Sequence, residues 1–298
     1  MRIGIFAGDG SLDDLLTLAK QAEADGFHSI WLPQIFGIDA IGALTLIGHE
    51  VPRIELGTGV VPTYPRHPAA LASQALTASA ASDGRFTLGI GLSHQFVIEA
   101  MYGYSFDKPV RHMREYLSVL VPLLAGEAAD FAGETVTAKL GLSVPGALPV
   151  PVLVAALGPK MLRLAAARTA GTVTWMTGPK TLAEHTVPTI TKAADAAGTG
   201  EMRVVSALPV AVTDDPAGAR AKAAEVFQVY GMLPSYRAML DREGAAGPAD
   251  VALIGSAAEV RAGIERMRDA GVTDFVATEF NTEERVATAT RDLLKEFV

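Results

Sequence analysis

The chain has 298 residues, no cysteine, a formal net charge of −8, and 49 % hydrophobic against 19 % charged residues. That composition excludes a disordered chain, and the absence of cysteine excludes a disulfide framework, a thiolate nucleophile and a Cys-based zinc site. An acidic balance without a dense Lys/Arg cluster argues against a nucleic-acid partner. The opening MRIGIFAGDG lacks the apolar core of a signal peptide, and no apolar run reaches the roughly 20 residues of a membrane helix, so a cytosolic protein with a small-molecule substrate and no membrane partner is expected.

Arg2–Ala7 reads as a strand. Ser11 then precedes Leu12, Leu15, Leu16 and Ala19, whose spacing marks one helix face, and Ser11 with Asp14 resembles a capping box. Ser29–Pro33 reads as a second strand. The junction between them, Asp25-Gly26, recurs as Ala170-Gly171 and Ala270-Gly271. Each glycine is read as closing a helix, and each is followed by a β-branched or aromatic run. Counting on gives strands at Ile54–Val61, Phe86–Gly91, Val150–Ala156, Thr172–Met176, Val204–Val212 and Asp274–Glu279. Eight strands separated by helices predict an α/β fold, a (β/α)8 barrel spanning residues 1–298 as one domain, with an open doubly wound sheet as the alternative. The segments 131–150 and 231–249, rich in Gly and Pro, read as irregular insertions.

In a barrel of this kind the site lies at the C-terminal ends of the strands. The third strand ends in GTGVVPTYPRHP, where glycines permit close approach of a ligand or of another backbone, and a helix is expected from about Pro68. The fourth ends in GIGLSHQ, which completes neither a dinucleotide fingerprint nor a G-x-S-x-G elbow. A serine hydrolase built on Ser93 and His94 would need an acid partner that the pattern does not supply. His94 stands near the mouth, where an imidazole can exchange a proton close to neutral pH. The fifth and sixth strands end in Gly158-Pro159-Lys160 and Gly178-Pro179-Lys180, two helix starts whose free N–H groups suit an anion. No H-x-H or H-E-x-x-H places the six histidines around a metal, so none is expected. The only paired acids near strand ends are Asp9 and Glu279.

Ile54–Pro68, Gly84-Arg85-Phe86-Thr87-Leu88-Gly89-Ile90-Gly91, Val152–Leu164 and Ala270–Phe275 together resemble the luciferase-like monooxygenase superfamily. The nearest branch is that of the coenzyme F420-dependent oxidoreductases, similar to methylenetetrahydromethanopterin reductase. The resemblance implies a luciferase-like TIM barrel, a homodimer formed through helices next to strands 2 and 3, and a non-proline cis peptide at Gly59-Val60 behind a deazaflavin ring. It also implies cofactor contacts from Thr63, from Gly91, Leu92 and Ser93, and from Ala156, Leu157, Gly158 and Pro159 near a phosphate. The sequence departs from the pattern after strand 2, where Gln34 follows Pro33 in place of the usual acid, and in the strand-4 loop, where His94 replaces an acid. Gln34 and His94 are therefore the candidate catalytic residues, for substrate contact or proton donation. Hydride transfer from reduced F420 to a C=C or C=N bond of a small metabolite is the expected reaction. An FMN-dependent monooxygenase is the alternative, and a non-catalytic flavin- or deazaflavin-binding protein is a third reading.

Overall fold

Runs that are apolar on both faces form strands buried on both faces, as parallel sheets require. The computed structural model describes residues 1–8, 10–280 and 283–298. Its barrel strands are β1 (Arg2–Phe6), β2 (Ser29–Leu32), β3 (Glu55–Thr58), β4 (Phe86–Gly91), β5 (Val152–Ala155), β6 (Gly171–Trp175), β7 (Arg203–Val212) and β8 (Asp274–Glu279). Each pairs in parallel with its neighbours in that order, and β8 returns to β1 with Arg2 opposite Asp274 and Ile5 opposite Ala277. The sheet is closed, so the open alternative falls. The closed sheet with its helices is a (β/α)8 TIM barrel.

Trp31, Leu153, Val173, Val205, Ala207 and Val276 form one buried cluster, with Phe6, Val60, Ala155 and Trp175 packed against it. A larger cluster joins the strands to the surrounding helices. At the N-terminal ends of the strands charges meet instead. Arg203 reaches Asp274 (Nη2–Oδ1 2.8 Å) and Glu55 (Nη1–Oε1 2.6 Å), while Arg2 bridges the same two carboxylates. Burial alone would raise the Asp274 carboxyl, but hydrogen bonds from Arg203 and Thr273 and the charges of Arg203 and Arg2 outweigh it and hold it below the usual range.

Several sequence expectations meet their detail here. Ser11 and Asp14 do form a reciprocal capping box on helix Leu12–Ala24. Gly26 and Gly271 follow helix ends with φ of +90°, as αL closing residues do. Gly171 differs, because it is the first residue of β6 and a Cβ there would stand 1.9 Å from the Arg203 carbonyl oxygen. Its role is close approach of two strands. The third strand read as continuous is broken after Thr58, and Val61–Pro62 resumes pairing with β4 opposite Ile90 and Gly91. The insertion at 131–150 is not wholly irregular: Ala129–Ala132 and Thr137–Leu140 form an antiparallel hairpin. The segment 231–249 is largely helical, including Pro234–Glu243, because Pro at the first helical turn and a closing Gly244 act as helix punctuation. A further short strand, Leu253–Gly255, pairs with the end of β7. No described helix is long and apolar enough to cross a membrane.

Candidate active site

The C-terminal mouth of the barrel holds a cavity of about 760 Å³. One wall comes from the strand ends. Gly59 and Val60 line it where β3 breaks, and the peptide bond between them is cis. Thr58 stitches the break: its hydroxyl donates to Gly89 O and accepts from Gly89 N, both at 2.8 Å. Gly89 is required by that approach, since a Cβ would stand 2.0 Å from Thr58 O. Beyond β4, Gly91, Leu92, Ser93 and His94 line the cavity in sequence, and Ser93 adopts a φ of +59° that turns the chain across the mouth.

The β5 loop supplies the second wall through Ala155, Leu157 and Gly158. His185 Nε2 lies 2.8 Å from Leu157 O and anchors this loop. Gly158 caps the helix Pro159–Arg168 with no side chain on its N–H groups, and a Cβ at Gly158 would meet nothing within 4 Å. The helix N-terminus is therefore open beside the cavity, with its partial positive charge available to an anion. The second loop expected to receive an anion is already filled. Glu243 accepts from Lys180 N at 3.1 Å and Thr181 N at 2.7 Å. This chain's own carboxylate takes the place of an external one.

The third wall is aromatic. Trp175 ends β6 and stacks on Phe6 at 5.8 Å between ring centres. Tyr236, from the helix Pro234–Glu243, lies 5.7 Å from the His94 ring. Phe96, Glu99 and Phe106 come from the segment after β4, which makes a π-helical turn at Val97–Met101. Burial pulls His94 below the ordinary imidazole range, so it is neutral at pH 7, and burial pushes the Tyr236 hydroxyl up, so it stays protonated. Both offer hydrogen bonds without charge.

The candidate residues thus divide. Gly59, Val60, Gly91, Leu92, Ser93, His94, Leu157 and Gly158 meet in one cavity. Ala156 is buried beside it, and Pro159 is the first residue of the open helix. Thr63 is buried with its hydroxyl 3.0 Å from His112 Nε2, and the Tyr64 ring stacks on that imidazole at 4.0 Å. Burial takes His112 down to about 4 despite the neighbouring Glu115. Gln34 is engaged outside the cavity lining, its Oε1 accepting from Ala40 N at 2.8 Å at the start of helix Ala40–Glu50. The short side chain of Asp39 caps the same helix through Gly42 N. Of the paired acids, Glu279 is bound to Arg291, and Asp9 lies outside the described residues. Among the described residues no group of three His, Cys, Asp or Glu could hold a metal.

Sequence reading missed Glu99, Phe96, Phe106 and Tyr236. They come from two segments without strand-end punctuation, and only their folding over the mouth brings them to it. Trp175 carried a signal, as the last residue of a strand with a polar loop behind it.

The luciferase-like monooxygenase family description matches residues 1–296. A 5,10-methylenetetrahydromethanopterin reductase of Methanolobus tindarius is 32 % identical over 244 residues, covering 80 % of this chain and 73 % of the relative. Among solved structures, the coenzyme F420-dependent tetrahydromethanopterin reductase of Methanopyrus kandleri superposes with a TM-score of 0.83 at 23 % identity, covering 100 % and 98 % of the two chains. The oxygenating component of 3,6-diketocamphane monooxygenase from Pseudomonas putida, in complex with FMN, gives 0.77 at 17 % identity, covering 99 % and 97 %.

Proposed function

The chain belongs to the luciferase-like monooxygenase family, and on that premise we propose that it is a coenzyme F420-dependent reductase acting on a C=C or C=N bond of a small metabolite. The observation that carries the reading is the join of a largely apolar cavity with an uncapped helix N-terminus at its edge. A flat ring system fits between the strand-end wall of Gly59, Val60 and Gly91 and the aromatic wall. An attached phosphate fits the free N–H groups of Gly158 and Lys160. The likeness to a reductase over most of the chain, together with the F420-dependent reductase among its structural neighbours, favours the deazaflavin.

When bound, that group supplies the hydride. The chain's own contribution is placement and exclusion. Trp175, Leu92 and Tyr236 keep bulk water from the reacting face, and His94 and the Tyr236 hydroxyl hold hydrogen bonds at substrate atoms. A water-poor site strengthens each of those interactions. The second reading, an FMN-dependent monooxygenase, draws on the FMN-containing neighbour of the same fold.

Fluorescence quenching on titration with F420 and, separately, FMN tests the choice. F420 binding in the micromolar range or tighter, with weaker FMN binding, supports it; tight FMN binding with no F420 response overturns it. A homodimer is part of the same proposal. Ile35, Phe36 and Leu46 are more than half exposed around helix Ala40–Glu50, and Leu46→Glu should shift sedimentation from dimer to monomer.

A further inference from the structure

The aromatic side of the cavity has a distinctive charge. Its lining combines Phe96, Phe106, Trp175 and Tyr236 with one carboxylate, Glu99, and among the described residues it includes no Lys or Arg. The acid is held in place. Glu99 Oε2 accepts from Gln95 Nε2 at 3.0 Å and Oε1 from Phe106 N at 3.3 Å. These bonds orient the carboxylate without neutralising it, since neither donor is charged. His94 adds no compensating positive charge, being neutral at pH 7.

Aromatic faces present the negative side of their quadrupole to a ligand, and with one carboxylate they form the set that recognises an organic cation. An anionic group beside Glu99 would meet repulsion from it, and the lining offers no Lys or Arg to offset that. We propose that the substrate is a cationic nitrogen compound, a cyclic iminium or protonated imine, recognised by Glu99 and the aromatic wall. This rests on the F420 reading and selects C=N from its two bond types. Hydride from the reduced deazaflavin forms a C–H bond at the iminium carbon while the C=N π pair returns to nitrogen as a lone pair. The substrate is reduced to an amine and the deazaflavin is oxidised. The proton shed in that oxidation goes to the amine or to water. The iminium acceptor needs no protonation before hydride arrives, in keeping with a site whose His94 is neutral at pH 7 and whose Tyr236 holds its proton tightly.

The test uses the F420-loaded protein and calorimetric titration with N,N-dimethyl-1,2,3,4-tetrahydroisoquinolinium, a cation that cannot be reduced at nitrogen, against the neutral bicycle 1-tetralone. The cation should bind at least tenfold more tightly, and raising salt should narrow the gap. Glu99→Gln keeps an acceptor for Phe106 N and should weaken the cation by tenfold or more while leaving tetralone and F420 within twofold. In turnover, N-methyl-3,4-dihydroisoquinolinium should show a raised KM in the variant with kcat little changed. Equal binding of the two probes by the native protein overturns the proposal, and so does a variant that leaves the cation unaffected or weakens both probes alike. If the variant does not fold, the probe comparison and salt series on the native protein still decide. Failure of F420 to bind would sink the cofactor reading alone, because the same probe titrations can be run on the protein without it.

Discussion

Gly158→Asp separates the stability of one helix from the function assigned to its N-terminus. Gly158 has φ −83° and ψ 152°, an extended conformation that suits a capping Asp, and a Cβ there meets nothing within 4 Å. The new carboxylate would accept from the free N–H groups of the first turn. Asp exceeds Gly as a cap by a few tenths of a kcal/mol, and a charge at the helix N-terminus adds about 0.3–1 kcal/mol, so the fold should gain about 0.5–1 kcal/mol. For a chain of this size that raises Tm by about 1–3 °C. Cofactor binding should move the other way. A carboxylate about 5 Å from a bound phosphate, at an effective dielectric constant of about 20, costs about 3 kcal/mol, or roughly a hundredfold in Kd. Gly158→Ala adds the Cβ without the charge and should leave Kd within about threefold. Thermal melts by circular dichroism read the first effect and F420 quenching titrations the second. A raised Tm with unchanged F420 affinity would show that no phosphate sits at this helix and would refute the assignment.

Three further outcomes follow from the geometry. His112 titrates near 4 in the folded chain against about 6.5 when unfolded. The unfolded state therefore binds more protons between those values, and stability must rise with pH across that window. His112→Gln should remove one proton's worth of that slope in urea melts run from pH 4 to 6.5. Asp274 has the opposite dependence on partners but the same sign: its folded pKa is depressed, so its contribution is complete above about pH 4 and fades as pH falls through the folded value. Asp274→Asn leaves Arg2 and Arg203 still paired with Glu55, should cost about 1.5–3 kcal/mol by urea denaturation at pH 7, and should flatten the acid limb. His94→Ala removes a hydrogen bond to the substrate and should lower kcat/KM by about threefold to tenfold while the F420 Kd stays within twofold; unchanged kcat/KM would remove His94 from the reaction.

Local pattern determined much of this protein. Period and punctuation placed all eight barrel strands to within two or three residues, because a strand buried on both faces is a short apolar run and each is bounded by glycine, proline or a capping residue. The strand-end glycines of the site were legible for the same reason: at Gly59 and Gly91 a Cβ would stand 2.6 Å from the Phe6 ring and 2.7 Å from the Val60 side chain, a close approach written in residue type. Tertiary structure decided what distance in sequence conceals. Gly158-Pro159-Lys160 and Gly178-Pro179-Lys180 are alike as sequences, yet Glu243, more than sixty residues further on, fills one and leaves the other open. Thr63 and Gln34 have the right chemistry for a site, but His112 and the Ala40 N–H already claim their side chains. Glu99 and Tyr236 face the cavity only because two long segments fold over the barrel mouth. A hydrogen-bond partner or a charge is chosen by proximity in space, and no periodicity along the chain records it.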